Sequence, residues 1–180
     1  MKKFLLVVLL LFTLCACDDD GKQMANPDDR YMYIIEMINE HESFQTTSNY
    51  FDIGVEMAKI ENGYRHYITI DNPRIAMYDI EILGIEKGVD YRNNMAANVG
   101  IFEDKEYNMV PNQANIDDGF VKGIVVSGVS KEPQTTLYIF VQFKNADYSI
   151  TRSEYFQLDA SYEAEQWTKR RWNNHYWSEL

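Results

Sequence analysis

The feature of this chain that most limits its possible folds is a period-two alternation of apolar and polar residues that begins near Asn49. Phe51, Ile53, Val55 and Met57 alternate there with Asp52, Gly54, Glu56 and Ala58. Successive side chains of a strand point to opposite faces of a sheet, so this alternation predicts a half-buried strand. Similar patterns predict further strands at residues 64–70, 78–83, 120–127, 137–144 and 149–158, with a short one at residues 98–102.

Turn signals separate these segments. Asn62-Gly63 predicts a tight hairpin, because both residues tolerate the positive φ angles that such a turn requires. Asp71-Asn72-Pro73 predicts the next turn, and residues 131–134 form an open connection. The sequence therefore predicts six or seven short strands joined by turns.

This pattern predicts a mainly β fold, an antiparallel immunoglobulin-like sandwich with an N-terminal amphipathic helix and a C-terminal helix. The strands at residues 123–128 and 136–145 resemble those of Ig-like domains in bacterial lipoproteins. An α+β fold, with the helix across one curved antiparallel sheet, is the alternative. The strands place the sandwich at residues 47–160.

Residues 26–46 predict the N-terminal helix. Asn26 is a good cap and Pro27 suits the first helical position. An apolar stripe then recurs at helical spacing, formed by Tyr31, Ile34, Ile35 and Ile38. We expect the helix to run from Pro27 to about Phe44 and to bury this stripe, most simply against the sheet that follows.

The N-terminus carries a targeting signal. Lys2 and Lys3 precede an apolar run at residues 4–14 that is too short to span a bilayer. Leu14-Cys15-Ala16-Cys17 follows and resembles the lipobox of bacterial lipoproteins. The resemblance implies that residues 1–16 are a signal peptide and that Cys17 carries a diacylglyceryl group and fatty acyl chains such as palmitate. An ordinary secretory signal peptide, cleaved near Ala16, is the alternative.

A lipid on Cys17 would anchor the chain at the extracytoplasmic face of the cell membrane, and residues 17–25 would form a polar tether. Residues 17–180 carry 15 basic and 28 acidic side chains, a net charge of −13. So acidic a chain argues against nucleic acid as a partner. Cys17 is the only cysteine in this part of the chain, so no intramolecular disulfide can form.

Signatures of enzymes and cofactor sites are absent from the sequence. It contains no nucleophile elbow, phosphate loop or zinc-binding motif. His41, His66 and His175 lack the spacing of metal ligands. Asp117 and Asp118 form a weak candidate for a Ca²⁺ site, but the same residues are typical of an exposed turn.

Two aromatic regions are candidates for binding. All three tryptophans lie in residues 161–180, where the candidate residues are Trp167, Arg170, Arg171, Trp172 and Trp177. Tyr91 and Tyr107 lie in an irregular, Asn-rich stretch at residues 87–119. Aromatic and arginine side chains are common in protein interfaces, although the tryptophans would equally suit packing on the sandwich.

The sequence therefore predicts a membrane-anchored lipoprotein that acts as a binding or protein-interaction module at the cell envelope. Its expected partners are the membrane, through the lipid, and an envelope protein that meets residues 87–119 or the Trp-rich segment. The alternatives are a small envelope hydrolase and a lipoprotein that binds a small ligand.

Overall fold

The computed structural model describes residues 26–115 and 119–163. It contains one helix, α1 (Pro27–Glu40), and seven strands: β1 (Asp52–Ile60), β2 (Gly63–Asp71), β3 (Tyr78–Glu86), β4 (Ala97–Val99), β5 (Gly123–Ser130), β6 (Gln134–Lys144) and β7 (Thr151–Ser161). The signal peptide, Cys17, the Ca²⁺ candidates Asp117 and Asp118, and the predicted C-terminal helix lie outside the described residues.

The strands form two antiparallel sheets. The three-stranded sheet has the order β1-β2-β5, and the four-stranded sheet has the order β4-β3-β6-β7. In the lettering of immunoglobulin domains these sheets correspond to A-B-E and C′-C-F-G, so the predicted immunoglobulin-like sandwich is confirmed. The alternative of a single curved sheet is wrong, because the chain crosses between two sheets after β2, β4 and β5.

The main core lies between the sheets. Both inner faces contribute aliphatic side chains at alternate positions, and the rings of Phe143 and Phe156 both pack on Phe51. The inner residues of β2 are His66, Ile68 and Ile70, as the alternation predicts. Burial of this apolar surface is what stabilises the described residues, which contain no cysteine.

A second apolar cluster forms between α1 and the outer face of the four-stranded sheet. The apolar stripe of α1 packs there on Leu83 and Ile85 of β3 and on Phe140 of β6. The strands that follow α1 directly, β1 and β2, belong to the other sheet. The molecule is therefore a three-layer arrangement of sheet, sheet and helix.

The helix ends earlier than the sequence pattern predicts. It stops at Glu40, and His41 is extended at φ −74° and ψ 129°. His41 and Phe44 nevertheless stack on Tyr155 and Tyr138, with ring centroids 3.7 and 4.5 Å apart. The aromatic residues after Glu40 thus pack on the same sheet as the helix but from an extended chain.

The β1–β2 hairpin lies where the sequence predicts it, but its turn is shifted by one residue. Ile60 pairs with Gly63, which leaves Glu61 and Asn62 as the loop. Gly63 has a φ of +131°, and a Cβ at this position would lie 2.7 Å from the carbonyl oxygen of Ser130. Gly63 is therefore favoured both by its positive φ at the end of the turn and by a close approach inside the sheet.

Candidate interaction surface

The two sheets differ in what covers their outer faces. α1 covers the four-stranded sheet, whereas no described element packs on the outer side of the three-stranded sheet. We call this uncovered side the open face and define it by Arg65, Tyr67, Thr69, Val125, Ser127 and Val129. These side chains are outward because their neighbours in β2 and β5, such as Ile68 and Val126, point into the core.

The open face combines apolar and hydrogen-bonding groups. Val125 and Val129 are 60% and 53% exposed, which is unusual for valine. They flank Ser127, whose hydroxyl oxygen accepts a hydrogen bond of 3.4 Å from Arg65 Nη1. Cross-strand pairs join Val125 to Thr69 and Ser127 to Tyr67. Such a mixture of exposed valine with half-buried tyrosine and arginine is suited to contact with a protein surface.

Strand β5 forms one edge of the open face, and its sequence carries no charged residue and no proline. Its register places it beside β2 only, so its other side has no strand partner among residues 26–115 and 119–163. Strand β4 approaches β5 from the other sheet but pairs with β3. An uncharged edge of this length is a ready template for another strand.

The other three edges are protected. β4 is only three residues long, and β1 carries Asp52, Glu56 and Lys59. The outer edge of β7 is occupied by Gln45, whose N–H donates to the Tyr155 carbonyl at 2.9 Å and whose carbonyl accepts from the Gln157 N–H at 3.0 Å. Among the described edges, β5 is thus the one that combines useful length with a lack of charge or cover.

An acidic cleft of 310 Å³ lies near the start of α1, lined by Pro27, Arg30, Asp79, Glu81, Gly100, Ile101, Glu103, Asp104, Lys105 and Glu106. Glu81 forms an ion pair with Arg30, and Asp79 forms one of 2.7 Å with Lys144. Asp79 lies in a β-bulge at φ +47°, which directs its side chain toward Lys144. The Glu106 carboxylate accepts a hydrogen bond from Tyr148 and raises the pKa of that phenol to about 12.

These contacts give the cleft a structural role. Both of its half-buried carboxylates, Glu81 and Asp79, are neutralised by basic side chains that belong to α1 and β6. No group of three or more His, Cys, Asp or Glu side chains within the described ranges has the arrangement of a metal site. The two half-buried carboxylates therefore join the helix and β6 to the sheet, and the remaining carboxylates of the cleft, Glu103, Asp104 and Glu106, are exposed to solvent.

Tyr91 and Tyr107 do not form a common site. The antiparallel register puts the β3–β4 connection with Tyr91 at one end of the sandwich and the β4–β5 connection with Tyr107 at the other. Tyr91 is only 8% exposed, and its hydroxyl oxygen accepts a hydrogen bond from the Glu86 N–H. Burial raises the pKa of Tyr91 to about 12. Tyr91 is therefore part of the core under α1, which corrects its interpretation as a recognition residue.

The stretch from 87 to 119 is more ordered than its composition indicates. Met109 pairs with Met77 and is fully buried, and the Asn108 side chain accepts a hydrogen bond of 2.9 Å from the Asp79 N–H. Tyr107 is half-buried against the main core. Asn108 thus supports the local backbone, while residues 87–90, 92–95, 103–106 and 112–115 of this stretch are exposed.

The remaining predicted binding residues, Trp167, Arg170, Arg171, Trp172 and Trp177, lie outside the described residues. The open face, in contrast, was not singled out from the sequence. The sequence of β5 nevertheless contained a signal for it. Val125, Ser127 and Val129 follow one another at every second position, and residues 123–130 carry no charge.

Comparison with known proteins identifies no relative. The chain matches no protein-family model, no curated protein sequence and no solved structure. Within the part of the chain that the structure describes, no helix is both long enough and apolar enough to cross a membrane.

Proposed function

We propose that this protein is a lipid-anchored interaction module of the bacterial cell envelope that displays the open face to a protein partner. The observation that carries the proposal is the difference between its two outer faces. The face beneath α1 is filled by the protein's own helix, whereas the opposite face exposes Val125, Ser127 and Val129 beside the half-buried Arg65 and Tyr67.

The position of the proposed anchor supports an orientation in which the open face points away from the membrane. Cys17 precedes Asn26 by nine residues, and a chain of that length spans at most about 30 Å, so a lipid on Cys17 would tether the start of α1 close to the membrane. Because α1 covers the four-stranded sheet, an anchor attached to it favours an orientation in which that sheet faces the membrane. The open face then points away from the lipid, where an envelope protein can reach it.

Binding or hydrolysis of a small ligand in the acidic cleft is less well supported. The described residues that line the cleft include no histidine, serine or cysteine to act as a base or nucleophile. Its half-buried carboxylates are already engaged in ion pairs. The open face is therefore the better candidate for the functional surface.

The anchor is tested by Cys17→Ser in the full chain expressed in a bacterial host. We expect the wild-type protein to sediment with membranes and its mature N-terminus to carry the mass of a diacylglyceryl group. The variant is expected to lose that mass and to leave the membrane fraction, because a single thioether lipid would be its attachment. A wild-type protein that stays soluble, or a variant that stays bound, would contradict the anchor.

The open face is tested by a photo-crosslinking amino acid at Thr69 in the same host. The matched control carries it at Glu36, an exposed position on α1 at the other side of the molecule. We expect a protein adduct from position 69 and none from position 36. Equal labelling at both positions, or an adduct at position 36 alone, would exclude the open face as the displayed surface.

A further inference from the structure

We infer that two copies of this protein pair through β5 in antiparallel orientation, with Ser127 of each copy on the two-fold axis, so that the two open faces join into one six-stranded sheet. The inference deepens the proposed function, since it names a second copy as a partner at the edge of that surface, and its membrane argument rests on the proposed anchor.

The first argument is the sequence of β5 in this register. Centring the pair on Ser127 sets Val125 of each copy opposite Val129 of the other on the open face. Cross-strand pairs of β-branched residues stabilise a sheet. On the inner side, the same register sets Val126 opposite Gly128, a large residue against a small one.

The second argument is charge. The exposed residues that flank β5 are Lys122 on one side and Lys131 and Glu132 on the other. The register centred on Ser127 brings Lys122 of each copy toward Glu132 of the other and sets Lys131 opposite Gly123. The seam therefore carries no excess of negative charge, whereas residues 17–180 as a whole have a net charge of −13 and acidic surfaces of two copies would repel each other.

The third argument is symmetry. Two antiparallel strands in one sheet are related by a two-fold axis that is perpendicular to the sheet. α1 lies behind the four-stranded sheet, so both helices of the pair would lie on the same side of the joined sheet. The two tethers at residues 17–25 would then leave from one face, as attachment to a single membrane requires.

Attachment to a membrane would also compensate for the weak affinity that a small interface provides. A seam of eight residues per copy buries less surface than a stable dimer in solution requires. Lipid anchors hold the copies in one plane and in one orientation, which raises their effective concentration. The pairing is therefore expected on membranes at protein levels where the free domain is monomeric.

The test is disulfide formation by Ser127→Cys in the full chain within cells. On the two-fold axis the two Cα atoms lie about 4.5–5.5 Å apart, a separation that a disulfide can span. We expect a covalent dimer that forms about tenfold faster than in the matched control Ser153→Cys, which places an exposed cysteine on the edge strand β7. The wild-type chain is the control for any disulfide-linked dimer that forms through Cys17.

A pair of charge variants, each built on Ser127→Cys, tests the register. Val125→Glu with Val129→Glu puts like charges opposite each other and is expected to abolish the crosslink. Val125→Glu with Val129→Lys puts opposite charges there and is expected to keep it. Both changes lie on exposed positions, and circular dichroism confirms the fold of each variant.

The outcomes separate the two proposals. A crosslink of Ser127→Cys no faster than that of Ser153→Cys, or equal crosslinking of the two charge variants, would overturn the β5 pair and leave the anchor untouched. Conversely, a Ser127→Cys crosslink that is faster than that of Ser153→Cys, together with a wild-type chain that is not membrane-bound, would uphold the pair and overturn the anchor.

Discussion

The outer faces of the two sheets show how the same strand geometry leads to opposite surfaces. In the four-stranded sheet, β3 and β6 direct Leu83, Ile85 and Phe140 outward, and these residues are buried beneath α1. In the three-stranded sheet, β2 and β5 direct Arg65, Thr69 and Ser127 outward, and no described element covers them. The residues at the outward positions thus decide which sheet receives a third layer and which stays open.

The largest expected effect comes from breaking the covered side. Phe140→Ala removes a fully buried ring that packs between the sheet and α1. The centroid of this ring lies 5.4 Å from that of Tyr155. We expect the free energy of unfolding to fall by about 3–5 kcal/mol, because the truncation loses buried area and leaves a cavity. Chemical denaturation monitored by circular dichroism measures the change.

The same variant also tests whether α1 can detach from the four-stranded sheet while the rest of the sandwich stays folded. Hydrogen exchange should show faster exchange in α1 than in β1 and β2, because those strands belong to the other sheet. A loss of less than about 1 kcal/mol would mean that α1 contributes little to the stability of the sandwich.

A smaller effect is expected from the inner side of the three-stranded sheet. His66 is 1% exposed, and neither ring nitrogen has a hydrogen-bond partner among the described residues. Burial lowers the pKa of His66, and the nearby Glu86 carboxylate offsets this only in part. The folded protein therefore holds His66 neutral, whereas the unfolded chain takes up a proton at the ordinary histidine pKa of about 6.5.

The free energy of unfolding should therefore decrease as the pH falls. The contribution of His66 to stability is complete above pH 6.5 and is lost as the pH falls below it, with a slope of at most about 1.4 kcal/mol per pH unit. His66→Leu should remove this part of the slope. Denaturation of both proteins between pH 5 and pH 8 provides the measurement, and parallel curves would show that His66 does not titrate on unfolding.

The smallest effect is expected on the open face. Val125→Thr keeps the β-branched shape at a position that is 60% exposed, so the free energy of unfolding should change by less than about 0.5 kcal/mol. Denaturation of the free domain under the conditions used for Phe140→Ala checks this. A loss above about 1 kcal/mol would show that Val125 is covered in the folded chain.

The sandwich was predictable because its strands alternate clearly. In β6, for example, Leu137, Ile139, Val141 and Phe143 all point into the main core, as their spacing predicts. The third layer was harder to predict, although β3 carried its signal. Ile80 and Ile82 fit one face and Leu83 and Ile85 the other, which indicates a strand that is buried on both sides.

The candidate site was predicted less well for physical reasons. Tyr91 lies in an irregular stretch that suggested recognition, but its place under α1 depends on long-range packing that no local pattern contains. The end of α1 was misjudged for a similar reason, since His41 and Phe44 keep an apolar spacing while the chain is already extended. Periodicity reports which residues are buried more reliably than it reports the backbone that buries them.

The pairing of Gln45 with β7 has a consequence for the size of any assembly. Its two backbone hydrogen bonds occupy the middle of the β7 edge, so a strand from another molecule cannot add there. With β4 short and β1 charged, the described edges leave β5 as the one starting point for growth by strand addition. When the β5 edges of two molecules pair, neither edge remains available to a third molecule. Strand addition through β5 therefore ends with a closed pair and does not propagate into a fibre.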